Sequence, residues 1–350
     1  MSRYYTRVCN FYYGSRSKTL IKQKKTLPLN GNTEISFDKV ELISRKSIKK
    51  ISIKKINDLP NYLKKKIKKD IKLITRPTKN IKNLRFKNSI PLIMGVLNIT
   101  PDSFSDGGKY NRKNLAKKQL DYLLKIGADI IDIGGESTRP GSKAVSPELE
   151  WKRIGKFLKK INKKNFISLD TRKSTIMEKG INLGIQLVND VSGLEYDKNS
   201  INILKKYKTP FVLQHSFGNP DVMQNNPKYK NVLLDIYDFF EQKIKFLRSF
   251  GINHNNIILD PGIGFGKNLK HNMKIIKNIS IYHSLGLPIL LGISRKKFIK
   301  ELSGNNDSSL RVGGTISSSI FAMMQGVQIL RVHDVNEIIQ SIKVFKELIK

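Results

Sequence analysis

The chain has one cysteine, Cys9, in 350 residues. A single thiol excludes an internal disulfide framework and a zinc site built on cysteines, and it fits a reducing compartment. Acids are also scarce: 28 Asp and Glu stand against 65 Lys and Arg, for a net charge of +37. No apolar run reaches the roughly 18 residues needed to span a bilayer. The first stretch, MSRYYTRVCNFYYGSRSK, has no apolar core of the kind a secretion signal carries. The expectation is a cytoplasmic protein with no membrane partner. The same stretch has no acid before Glu34, so an organellar transit peptide stays open as the alternative. With 39% hydrophobic residues, the chain suits one or two globular domains.

The charge is unevenly spread. Residues 1–90 hold 25 basic and 5 acidic side chains, about 20 of the net positive charges, in runs such as IKQKK, SRKSIKKISIKK and YLKKKIKKD. Lysine fields of this size attract nucleic acid or anionic membranes. Here the lysines scatter over helix faces, and no interleaved aromatic stripe of a single-strand binder goes with them. The expectation is a solvated surface with no specific nucleic-acid partner, one that also favours an anionic substrate. Residues 1–89 are set apart as a basic extension of uncertain structure, with strand-like text at 34–43 and a basic amphipathic helix at 59–73, or else as a loosely packed segment.

From residue 90 the texture becomes regular. Apolar strand-like runs fall at 90–98, 128–134, 166–170, 186–191, 210–214, 256–260, 287–293 and 327–332. Helical spacing follows at 112–126, 147–161, 174–183, 199–207, 229–250, 269–285, 310–324 and 336–349. Strands alternating with helices imply a parallel sheet with helical crossovers. Eight units in 260 residues match a (β/α)8 TIM barrel over residues 90–350. A doubly wound open sheet is the alternative.

Polar clusters follow nearly every strand, and in a barrel those ends share one face. They read Asn98 with TPDSFSDGG, Asp132 with GGESTRPGS, Asp170 in SLDTRK, Asn189 in NDVSG, Gln214–His215, Asp260 in DPGIGFGKN, SRKK from Ser294, and Arg331 with His333 in RVHD. Each alone is an ordinary polar turn. Eight together exceed what packing explains, because buried charges are costly unless paired or bound to a ligand. Arg331 and His333 alternate on one strand and so point the same way. Carboxylates and amides such as Asp170, Asn189 and Asp260 can read the donor and acceptor edge of a planar heterocycle with paired hydrogen bonds.

Taken together, MGVLNITPDSFSDGG, ADIIDIGGESTRPGS, SLDTRK, VNDVSG, ILDPGIGFGKN, GISRKKF and GTISSSIFAMMQGVQILRVHDV resemble the dihydropteroate synthases of the folate pathway. The resemblance runs from Pro91 to the C-terminus; residues 1–89 look only loosely like the extension some bacterial members carry. It implies condensation of 6-hydroxymethyl-7,8-dihydropterin diphosphate with 4-aminobenzoate, giving 7,8-dihydropteroate and pyrophosphate, with Mg²⁺. It places Thr138, Asp170, Asn189, Asp260, Lys296, Arg331 and His333 on the pterin diphosphate, and Asp132 deeper in the pterin pocket. It puts Asn98 on the metal and diphosphate. Phe104, Arg139, Pro140, Phe265, Ser294 and Arg295 fall to the aminobenzoate, with Asp102 helping to order that site. No residue is implied as a covalent nucleophile. A homodimer and sulfonamide recognition are further implications.

Some text departs from the family pattern. LQHSFGNPDVMQ stands where a His-Met pair is usual, which puts Gln214, His215 and Ser216 in doubt as pterin neighbours. SLDTRKS lacks the frequent proline after lysine, and SRKK replaces SRKS. Two other readings compete: a pterin-binding barrel of methyltransferase type or a silent paralogue, and a basic nucleic-acid binder on an old enzyme scaffold.

Overall fold

In a computed structural model, residues 3–86, 90–100, 111–137, 142, 144–216 and 227–350 are described. The first 75 residues fold on a core of their own. Strands β1 (Tyr5–Tyr13), β2 (Leu27–Leu29), β3 (Asn32–Ile43) and β4 (Ile48–Ser52) form an antiparallel sheet, with helices α1 (Gly14–Lys22) and α2 (Asn61–Thr75). β3 is long enough to pair with β1 along one side and with β2 and then β4 along the other. Val8, Phe37, Val40, Ile67 and Ile74 are buried together in it. The loosely packed alternative therefore falls. In α2, Ile67, Asp70 and Ile74 face inward, and the lysines fill the other faces.

The extension is docked, not tethered. Tyr5 and Ile43 belong to the main core of the following domain. The Tyr5 hydroxyl donates to Asp238 at 2.8 Å, and its ring meets Tyr237 edge-on at 5.1 Å. Arg45 pairs with Asp235 and Asp238, each at 2.7 Å.

The remaining strands are β5 (Leu92–Asn98), β6 (Ile130–Gly134), β7 (Ile167–Asp170), β8 (Leu187–Asp190), β9 (Phe211–Gln214), β10 (Ile257–Asp260), β11 (Leu290–Gly292) and β12 (Ile329–Val332). They pair in parallel in the order β10-β9-β8-β7-β6-β5-β12-β11, and a bridge from Leu259 to Ile289 joins the two ends into a barrel. Helices α3 (Asn111–Lys125), α4 (Pro147–Leu158), α5 (Ser174–Asn182), α6 (Ser200–Tyr207), α7 (Val232–Ser249), α8 (Leu269–Lys277), α9 (Lys297–Ser303), α10 (Val312–Met324) and α11 (Val335–Leu348) lie between and after them. The TIM-barrel expectation holds, and the open-sheet alternative falls. Two details differ. The helix expected over 269–285 stops at Asn278 and continues as a 3-10 segment, Ile279–Leu285, all of it buried. That segment packs against both the barrel and the extension, so it has no polar face to keep helical periodicity. The short α9 has no counterpart in the expected elements.

Strand alternation sorts the core. Ile131, Leu169, Val188, Leu259 and Leu330 pack outward with the helices. Met94, Ile130, Leu187, Ile258 and Ile329 pack inside the barrel with Ile81 and Leu84 from the connection between the domains. Those two hydrogen-bond to each other, Leu84 N–H to Ile81 O at 2.8 Å, and close the N-terminal end as a floor. Two residues further along each strand, on the same inward side, come Asp132, Asn189, Asp260 and Arg331. The polar residues expected at the strand ends thus form the layer above an apolar plug.

Candidate active site

At the centre of that layer, one guanidinium bridges two carboxylates. Arg331 Nε donates to Asp132 Oδ2 at 2.6 Å, and its Nη2 donates to Asp170 Oδ2 at 2.8 Å. Asn189 Nδ2 donates to the same Asp132 oxygen at 2.9 Å. Such contacts between non-adjacent strands are possible only across the interior. Asp132, Asp170 and Asn189 are all almost fully buried. Asp132 Oδ1, Asp170 Oδ1 and Asn189 Oδ1 are buried with no hydrogen-bond partner among the described residues. Buried acceptors left unpaired cost about 1–3 kcal/mol each, so three in one layer mark a place for a donor-bearing ligand. Burial, resisted by Arg331, pushes the Asp170 carboxyl up to about 8.

Beside this cluster lies Asp260, buried, with Oδ1 accepting from Gly262 N–H at 2.8 Å. Burial raises it to about 6, against the pull of that N–H, Lys296 and Arg331. Burial lowers Lys296 to about 8, partly offset by Asp260. Its ammonium sits over the Phe265 ring, 4.1 Å from the centroid, close enough for a cation–π contact. The neighbouring Lys297 is exposed and pairs with Glu301 at 3.4 Å, so the two lysines are not equivalent.

Asn98 ends β5 across from Gly134. A Cβ on Gly134 would lie 3.4 Å from both Asn98 Oδ1 and Asp170 Cβ, so a side chain there would crowd the gap between them. His333 Nδ1 lies 3.1 Å from Ser294 Oγ. Arg295 is held by Asp334, with Nε 3.1 and 3.2 Å from its two oxygens and Nη2 on Oδ1, so its guanidinium is already engaged. Arg295 adopts a left-handed backbone, φ +58°, uncommon for a residue with a side chain. Asp102, Phe104, Thr138, Arg139 and Pro140 lie outside the described residues.

Sequence reasoning missed two clusters. In one, Glu136 accepts from Arg172 at 3.1 and 3.2 Å, from Lys173 at 2.9 Å and from Val145 N–H at 3.0 Å, while Lys173 also reaches Glu150 at 2.5 Å. All four charged side chains are buried, and Glu136 ties the two ends of the loop after β6 together. These hydrogen bonds and charges hold the Glu136 carboxyl below its ordinary range despite burial, which acts the other way. In the other, Lys267 and His215 meet under the loop after β10. Gln214, also in doubt from the sequence, turns its amide to Val191 O at 3.3 Å.

Among the described residues no cluster of three or more His, Cys, Asp or Glu is placed to hold a metal ion, and no helix is long and apolar enough to cross a membrane.

A family model described as pterin binding enzyme matches residues 94–333. The dihydropteroate synthase of Neisseria meningitidis serogroup B is 42% identical over 265 residues, covering 74% of this chain and 93% of that protein. Two crystal structures share the fold. Dihydropteroate synthase from Clostridium difficile, solved in the presence of pteroic acid, matches with a TM-score of 0.69 at 38% identity, covering 74% of this chain and 97% of that one. The Yersinia pestis enzyme, in a sulfonamide drug complex, matches with a TM-score of 0.72 at 37% identity, covering 77% and 98%.

Proposed function

We propose the following roles for the residues of a chain that belongs to the pterin-binding enzymes and, within them, to the dihydropteroate synthases. The enzyme condenses 6-hydroxymethyl-7,8-dihydropterin diphosphate with 4-aminobenzoate, giving 7,8-dihydropteroate and pyrophosphate in folate biosynthesis. The observation that carries the assignment of roles is the set of three unpartnered buried oxygens on Asp132, Asp170 and Asn189. They accept hydrogen bonds from the N–H edge of the pterin, and Asp260 and Lys296 complete its contacts.

Arg331 spends two of its five N–H donors on Asp132 and Asp170. Those left over, with His333 at the same strand end, take the diphosphate. The methylene C–O bond breaks, and the electron pair leaves with the diphosphate. The amine of aminobenzoate forms the new C–N bond and loses a proton. Positive charge developing on the pterin is favoured by the Asp170 and Asp260 carboxylates, and negative charge on the leaving group by Arg331 and His333. Phe265 and Ser294 border the aminobenzoate. Arg295 serves that side indirectly, by fixing Asp334 and so the strand end beside Ser294 and His333.

Asn98 fits a magnesium ion. It offers one neutral oxygen, and a hard cation that keeps its waters needs few protein ligands when a diphosphate supplies the rest. When bound, Mg²⁺ neutralises charge on the leaving diphosphate.

The protein works in the cytoplasm as a homodimer. Supporting this, Met273 on α8, Phe321 on α10, and Val344 and Leu348 on α11 expose large apolar side chains on helices that pack side by side. The extension docks on α7 and the 3-10 segment Ile279–Leu285 and, among the described residues, meets α10 and α11 only at their C-terminal ends, where the Tyr13 hydroxyl donates to Met324 O at 3.0 Å. Sedimentation of Phe321→Asp tests it, with a monomer expected and an unchanged dimer counting against this face.

Pyrophosphate release measured with both substrates tests the whole reading. Release that needs aminobenzoate supports it, and release independent of aminobenzoate or none at all overturns it.

A further inference from the structure

Lys267 is 2% exposed, yet its Nζ has three polar neighbours. It donates to His215 O at 3.2 Å and Phe265 O at 2.8 Å and lies 3.0 Å from His215 Nδ1. The β9–β10 pairing ends at Gln214 and Asp260, with His215 N–H on Asp260 O at 2.8 Å as its last rung. Lys267 fastens the two chains beyond that rung. The fit is close: Gly262, at φ +66°, would place a Cβ 2.1 Å from His215 O, so only glycine passes there. His215 is itself wedged, edge-on to Phe239 at 4.9 Å.

The far end of this fastening is Phe265. Its carbonyl is held by Lys267, and its ring carries Lys296 at 4.1 Å. The next carbonyl, of Gly266, is held by the Tyr229 hydroxyl at 3.0 Å, and Gly264 N–H by Asn272 at 2.9 Å. We propose that Lys267, braced by His215, is a positioning residue that sets the Phe265–Lys296 pair against the aminobenzoate. This rests on the functional reading above. It gives His215, whose place in the site the sequence left open, a part in the reaction without touching substrate. Burial beside Lys267 holds the imidazole well below its ordinary range, so His215 is neutral. Burial also lowers Lys267 to about 7, against the pull of Asp260, and while Lys267 keeps its proton the pair needs a bare Nδ1 with the His215 proton on Nε2.

Three full-length variants test the proposal: Lys267→Met, His215→Phe and His215→Asn. Phenylalanine keeps the ring packing but removes the acceptor, whereas asparagine returns an oxygen near the Nδ1 position. A misplaced aromatic wall of about 1 Å can cost up to about 100-fold. The expected result is a KM for aminobenzoate raised about tenfold or more in K267M and H215F, and mostly restored in H215N. The Kd for pterin diphosphate, measured by calorimetry, should move about threefold or less. If K267M does not fold, the His215 pair decides. Folded variants that keep the wild-type KM overturn the proposal, as does an H215N no better than H215F. Wild-type protein without aminobenzoate-dependent turnover would instead sink the functional reading. Crystal structures of the variants then still decide: a Phe265 ring displaced from Lys296 supports the fastening, and an unmoved ring refutes it.

Discussion

Replacing Asp170 with asparagine should make the protein more stable and its site worse. Asp170 is 2% exposed, and Oδ1 has no partner among the described residues. Burial, opposed by Arg331, raises its carboxyl from 3.8 to about 8. An acid whose pKa is higher folded than unfolded favours folding most below its unfolded value, and that contribution is lost as pH climbs through about 8. At pH 8 the wild type therefore carries a penalty that D170N lacks, with a ceiling of roughly 5 kcal/mol. Since the pull of Arg331 is already contained in that raised value, the net expectation is a gain of a few kcal/mol at pH 8, shrinking to about 1–2 kcal/mol at pH 5 and vanishing only below the unfolded value. Urea unfolding at the two pH values reads this directly. Pterin diphosphate should bind about 30- to 100-fold more weakly, because the amide cannot offer two acceptor oxygens. A variant no more stable than wild type at pH 8, or one with unchanged pterin affinity, refutes the reasoning.

Arg331→Met leaves Asp132 and Asp170 facing each other without a cation. It should lower stability by about 3–5 kcal/mol in urea unfolding, and diphosphate affinity should fall with it in calorimetry. Leu84→Ala opens the barrel floor; a loss of about 2–4 kcal/mol is expected in urea unfolding, with kcat/KM at the far mouth nearly unchanged. Sulfonamides should raise the KM for aminobenzoate without changing kcat in steady-state inhibition assays, and a purely noncompetitive pattern would count against the assigned pocket.

The barrel and the central cluster were legible in the sequence for one physical reason. Ile130 with Asp132, Leu187 with Asn189, Ile258 with Asp260, and Ile329 with Arg331 each put an apolar plug residue two positions before a polar one. The period of a strand then carries both inward. The buried clusters obey no such period. Lys173 meets Glu136 and Glu150 from separate elements, and Lys267 meets His215 across 52 residues, so only folding brings them together. Arg295 fell to the aminobenzoate by resemblance alone, because its partner, Asp334, is 39 residues away. In the extension the strand-like text at 34–43 and the helix at 59–73 were legible as β3 and α2, but core residues such as Ile67 sit among lysines, and the charge hides that they pack together.

The Ile81–Leu84 floor has a kinetic meaning. A chamber shut at its base has one door, so whichever reactant lodges deepest has to arrive first and its nitrogenous partner second. Traffic outward runs in the reverse sense, with the small inorganic fragment free to go before the bulky conjugate. The segment joining the two domains adds Ile81 and Leu84 to a barrel interior already filled by its own strands, and substrate traffic at the opposite end is expected to follow that order.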